Sequence, residues 1–218
     1  MLISNKYRFI FVHVHKVAGQ SITNALIPYA AEPWQKYLST VIPYRIQLKV
    51  FTKIKQYGGK GFSPQPFADH ISGPVLRDAL GAARFDQYFS FAFVRNPWDW
   101  VLSQYTYAKK NPRHHMHKKY NSFQNFNEFC RWHCTENPSI KFQKNYVFDK
   151  KGRQVVNFIG KQEYLRRDFK YVCEQIGINA VLPHYNQSRK ESYQKHYSDE
   201  SMELVSRTFS EDIRLLSY

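Results

Sequence analysis

Lys16 stands between an apolar run, residues 9–14, and a turn of small residues, Ala18-Gly19-Gln20-Ser21, that leads into a helical pattern. A lysine beside a tight strand-to-helix turn is suited to a phosphate. The first turn of a helix offers backbone N–H groups without intrahelical partners and the positive end of the helix dipole. Gly19 lets a ligand approach the backbone closely, and Ser21 can add a hydroxyl donor. The order of residues differs from a Walker A loop, GxxxxGK[ST], where the lysine follows the glycines. Here it precedes them, which weakens a P-loop-type nucleotide kinase without removing it as an alternative.

A second cation closes another apolar run. Residues 88–94 read YFSFAFV and pass directly into Arg95-Asn96-Pro97. A strand-end arginine is a planar fork for phosphate, and Ser103 falls on the next helix within reach of the same anion. Nine histidines add titratable groups. His13 and His15 form an HxH that could suggest a metal, yet on a buried strand ordinary hydrogen-bonded histidines fit better. His114, His115 and His117 sit in a basic stretch with Lys109, Lys110, Arg113, Lys118 and Lys119. No carboxylate or cysteine partners them, so a solvated loop or a substrate-facing rim fits better than a metal site.

The elements that must position these groups follow from periodicity. Residues 7–14, 88–94 and 155–159 read as strands; residues 21–29, 74–80, 97 onward, 123–133, 164–176 and a last segment after Ser198 read as helices. Leu165, Phe169, Val172 and Ile176 share one face, with Gly177 as the stop. Met202, Val205, Phe209, Ile213 and Leu216 share another. Trp34 to Phe51 is mixed aromatic and basic, and residues 57–66, rich in Gly and Pro, should be loop. Strands alternating with helices predict an α/β domain whose central, mainly parallel sheet is flanked by helices.

The 218 residues suit a single domain, 1–218, with 17 Phe, 16 Tyr and 4 Trp to build its core. Lys plus Arg outnumber Asp plus Glu by 32 to 17, a net charge of +15, which fits a basic surface or a polyanionic ligand. A basic nucleic-acid-binding module is a further alternative, although paired RNP aromatics, GXXG and a helix-turn-helix are missing. Cys130, Cys134 and Cys173 match neither a CxxC pair nor a zinc quartet and read as thiols, with one disulfide left open. With neither a signal-peptide pattern nor an apolar run of spanning length, a cytoplasmic protein is expected, or else the soluble catalytic domain of a membrane-anchored Golgi-type enzyme.

His13-Val14-His15-Lys16-Val17-Ala18-Gly19-Gln20-Ser21 resembles the phosphosulfate-binding loop of the sulfotransferase family, whose form in this branch is roughly HIPKTAGTS. Residues 93–105, FVRNPWDWVLSQY, resemble the family's FVRNPWDRLVSAY, with Trp100 at a surface-type position where arginine is usual. Weaker echoes are FIGKQE at 158–163, PHYNQS at 183–188 and DIRLLSY at 212–218. The likeness is greatest to the carbohydrate sulfotransferases related to the heparan and chondroitin enzymes.

The resemblance implies a three-layer P-loop-like domain and 3′-phosphoadenosine 5′-phosphosulfate as donor, with adenosine 3′,5′-bisphosphate as product. It places Lys16, Val17, Ala18, Gly19, Gln20, Ser21 and Ile22 around the donor's phosphosulfate, and Arg95 and Ser103 at its 3′-phosphate. Lys161 and Ser188 are implied as further donor contacts. Lys16 would stabilise charge on the leaving oxygen. His70, between the two motifs, would be the base for an acceptor hydroxyl; otherwise it is a surface histidine or a helix-start hydrogen bonder. No metal is expected. The partner would be a hydroxyl-bearing glycan, anionic if the basic stretch serves it, and the acceptor itself is not legible.

Overall fold

A computed structural model describes residues 1–30, 70–183 and 192–218 of the chain. The stretch from Trp34 to Phe51, the expected loop at 57–66, and Ser188 with its PHYNQS segment beyond Pro183 lie outside the described residues.

Among the described residues four strands form one mixed sheet in the order β1-β2-β3-β4: β1 (Leu2–Ser4), β2 (Phe9–Val12), β3 (Phe89–Val94) and β4 (Phe158–Lys161). β1 pairs antiparallel with β2, Leu2 opposite Phe11. β2 pairs parallel with β3, Phe9 opposite Phe89, and β3 parallel with β4, Phe91 opposite Phe158. Every residue of β2 and five of six in β3 are buried. Runs apolar on both faces are what a parallel sheet covered on both sides requires. The architecture is therefore α/β, as the alternation of patterns predicted.

The parallel pairing has one consequence for chemistry. The chain leaves β2, β3 and β4 at the same edge of the sheet, the carboxyl edge where open α/β sheets bind ligands. Lys16, Arg95 and Lys161 all fall at that edge.

Ten α-helices are described: α1 (Gly19–Ala30), α2 (Gly73–Leu80), α3 (Ala82–Phe85), α4 (Pro97–Lys110), α5 (His117–Asn121), α6 (Phe126–Thr135), α7 (Lys144–Val147), α8 (Leu165–Ile176), α9 (Asp199–Thr208) and α10 (Ser210–Leu216). Pro97 occupies the first turn of α4, where its missing N–H is not needed, and Asn96 caps it by accepting from Trp98 N and Asp99 N. Gly177 ends α8 in the left-handed conformation. Ser198 opens α9 with a capping box. No described helix is long and apolar enough to cross a membrane.

Three local expectations shift. The strand expected at 155–159 begins at Phe158, because Val155 N is bonded to the Val147 carbonyl and Asn157 turns its side chain onto Ser90. The last helix breaks at Phe209 (φ −102°, ψ 21°), and the expected face is buried at Val205, Phe209 and Leu216, joined by Ser201 and Asp212, while Met202 and Ile213 are only partly covered. The basic stretch is partly helical, as α4 runs to Lys110 and α5 starts at His117.

Candidate active site

The loop from β2 to α1 is wound tightly. Lys16 and Ala18 have φ of 65° and 60°, left-handed values for residues that carry a Cβ. Each costs on the order of 1–2 kcal/mol, and such strain persists where the surroundings over-determine it. Those surroundings are visible. Trp100, fully buried, donates its Nε1 proton to the His15 carbonyl at 2.7 Å. The expectation of a surface-type position at Trp100 is thus corrected: the indole braces the loop from beneath.

Gly19, the first residue of α1, is required by contact. A Cβ there would sit 1.7 Å from His13 Nε2. The His13 ring is itself fixed, stacked on Phe11 and in contact with His70. Burial pushes His13 and His15 down to about 3, so both are neutral near pH 7.

Two cations meet over this loop. Arg95 Nη1 donates to the Lys16 carbonyl at 3.3 Å. Burial, then the Arg95 charge, lowers the Lys16 ammonium to about 8. The ammonium rests on the Tyr107 ring, 3.6 Å from its centroid. Arg95 Nε and Nη2 are both held by Asp99 Oδ2 at 2.7 Å, one helical turn on. Of the five N–H groups of a guanidinium these contacts take three.

The backbone of Arg95 is clamped by residues that motif spacing does not reveal. Buried Gln143 accepts from Arg95 N at 2.9 Å and donates to the Arg95 carbonyl at 2.7 Å. The Gln143 N–H and the Lys144 N–H, in turn, both donate to Asp212 at 2.9 Å. Burial raises Asp212 to about 6 against those bonds. On the other side Glu163 accepts from Asn96 N at 2.7 Å and from the Tyr218 hydroxyl at 3.0 Å. The FIGKQE and DIRLLSY echoes therefore converge on Arg95-Asn96 as braces. Gly160 belongs to the same packing, since a Cβ there would lie 2.5 Å from Phe93 Cε1.

Of the other expected site residues, Ser103 lies on α4 one turn before Tyr107 and donates to the Trp100 carbonyl at 2.9 Å. Lys161 is engaged elsewhere: its Nζ donates to the Ser217 carbonyl at 2.7 Å and sits over the Tyr218 ring. Val17, Ala18, Gly19, Gln20, Ser21 and Ile22 form the loop end and first turn of α1, with Ile22 N bonded to the Ala18 carbonyl. That first turn carries no acidic side chain to oppose an anion.

His70 faces the loop from the segment before α2. Its Nδ1 lies 3.0 Å from the His13 carbonyl, and its ring contacts both His13 and His15. A carbonyl only accepts, so Nδ1 is the donor in this contact, and in the neutral ring the lone pair falls on Nε2. His15 is oriented in turn by the Tyr146 hydroxyl, 3.2 Å from its Nδ1. Among the described residues no group of three or more His, Cys, Asp or Glu side chains is placed to hold a metal ion. Cys130, Cys134 and Cys173 are free thiols.

A family model described as "Sulfotransferase family" matches residues 1–218. An uncharacterized protein of Archaeoglobus fulgidus is 30% identical over 122 residues, 56% of this chain and 95% of the relative.

Proposed function

The chain belongs to the sulfotransferase family, and from that premise we propose that it moves a sulfuryl group from 3′-phosphoadenosine 5′-phosphosulfate to a hydroxyl of a carbohydrate or related acceptor. The observation that carries the donor assignment is the Lys16–Arg95 pairing: two cations from adjacent strand ends, joined through the Lys16 carbonyl beside a helix N-terminus. That set suits a ligand with anionic groups at two ends.

The donor, when bound, supplies the sulfuryl group and a phosphate leaving group. Lys16 and the amides of residues 17–22 hold the phosphosulfate end; a fixed positive charge there stabilises the negative charge that grows in transfer. Arg95 offers its two remaining N–H groups to the 3′-phosphate, and Ser103 joins them by turning its hydroxyl from the Trp100 carbonyl. Ser188 is kept as a further contact, and Lys161 as one that would have to leave the Ser217 carbonyl to reach the donor. His70 Nε2 takes the acceptor proton, in the tautomer set by the His13 carbonyl. The basic residues of 109–119 suit an anionic glycan.

The test is transfer of radiolabelled sulfate from the donor to a panel of glycans and small hydroxyl compounds. Wild type should label at least one acceptor, with Lys16→Ala and His70→Ala both reduced at least roughly a hundredfold. Wild-type turnover in His70→Ala would remove it as the base.

A further inference from the structure

We propose that Tyr107 is a positioning residue for Lys16: its ring face receives the ammonium and fixes the direction in which the lysine points over the loop. The inference rests on the donor-site reading of Lys16 and adds a residue that neither motif assigns.

The geometry is specific. Lys16 Nζ lies 3.6 Å from the Tyr107 ring centroid, well inside the range at which a cation is attracted to the negative face of an aromatic ring. The ring is itself held from two directions. Asn111 Nδ2 donates to its hydroxyl at 3.2 Å, and His114 packs edge-on against it, centroids 5.6 Å apart at 87°. Tyr107 is still half-exposed. A tyrosine so exposed, yet oriented by two neighbours, is placed for what rests on its face and not for the core.

The charges around Lys16 make that support necessary. Arg95 faces it with its positive charge from the end of β3, while the titratable rings near it, His15 on its own loop and His114 in the segment before α5, are both shifted by burial toward their neutral form. Asp99 is taken up by Arg95. The ring face is the counterweight that keeps the lysine charged and aimed while no anion is bound. Tyr107 also follows Ser103 by four residues on α4, so both lie on one helix face. One face of α4 thus carries the hydroxyl for one anion and the platform for the cation of the other.

The test is NMR of the ligand-free chain carrying 13C-lysine, the Lys16 ε-methylene signal being the one lost in Lys16→Arg. In wild type that signal should be displaced upfield by the ring current of Tyr107. Tyr107→Phe, which keeps the face, should retain the displacement. Tyr107→Leu should abolish it and lower the Lys16 titration midpoint by roughly half a pH unit. Sulfate transfer in Tyr107→Leu should fall by roughly three- to tenfold in kcat/KM, with the basic limb at lower pH, while Tyr107→Phe stays near wild type. An undisplaced Lys16 signal in wild type, which needs no variant, overturns the proposal; so does an unchanged midpoint in Tyr107→Leu. Failure of wild type to bind adenosine 3′,5′-bisphosphate would instead overturn the donor reading and leave the ring-current result standing.

Discussion

Arg95 Nη1 donates to the carbonyl of Lys16 at 3.3 Å, joining the residue that follows β3 to the loop that follows β2. These strands are neighbours in the sheet, so one hydrogen bond ties together the two strand ends that carry the expected donor contacts. Both cations are then aimed by the fold itself, Lys16 by a left-handed backbone and Arg95 by Asp99 and Gln143.

The clamp on Arg95 predicts an effect at a distance. Asp212→Asn turns one of two accepting oxygens into a donor that faces the Gln143 or Lys144 N–H. Unfolding in urea should show a loss of about 1–3 kcal/mol. Affinity for adenosine 3′,5′-bisphosphate should fall with it, although Asp212 need touch no ligand. Unchanged affinity in a folded Asp212→Asn protein would separate the clamp from binding.

Lys16 should oppose stability. Its folded value of about 8 lies below its ordinary 10.5, so between those values the unfolded chain holds the proton more tightly. Stability therefore rises as pH climbs from about 8 to 10.5, and below 8 the charged lysine disfavours folding. Lys16→Met should keep or raise Tm at pH 7 while sulfate transfer falls by about 10²–10³. A lower Tm would mean that the lysine is a structural anchor.

Gly19→Ala places a methyl group where His13 Nε2 lies, and the ring's contacts with Phe11 and His70 resist its displacement. We expect a loss of about 1–3 kcal/mol in stability, as for overpacking, together with loss of transfer. Adding His13→Ala should recover much of the stability. A strictly additive double variant would show that the two sites are uncoupled.

The neutral histidines predict acid sensitivity. His13 and His15 are lowered to about 3 and His133 to about 4, each by burial. A lowered histidine leaves its stabilisation complete above the unfolded value of 6.5 and loses it as pH falls from there toward the folded value. Tm should drop steadily below about pH 6.5, and His15→Asn should flatten the slope. A flat profile from 6.5 to 4.5 would show that these rings take up protons without resistance.

The sequence made legible what periodicity and order of residues can carry. The buried strands FIFV and FSFAFV, Lys16 ahead of its turn, Arg95 at a strand end and the Asn96–Pro97 helix start are all found where their patterns place them. β1 was missed because three residues cannot show a period. Gln143 was invisible because a buried amide bridging two backbones leaves no spacing signal. Asp212, Glu163 and Tyr218 were on view in the weaker echoes, but braces acting through backbone groups cannot be told by residue type from surface polar residues. Trp100 was misjudged for a related reason: its partner, the His15 carbonyl, lies 85 residues away.

The central claim is a donor site built on Lys16 and Arg95, and the most direct measurement is thermal unfolding with adenosine 3′,5′-bisphosphate beside ATP with magnesium. At a hundredfold excess over Kd a ligand of the folded state adds about 2.7 kcal/mol, roughly 5–10 °C for a chain of this size. The bisphosphate should give such a shift, Arg95→Ala should largely remove it, and ATP with magnesium should give much less. No shift with millimolar bisphosphate, or an equal shift with ATP and magnesium, would contradict the account.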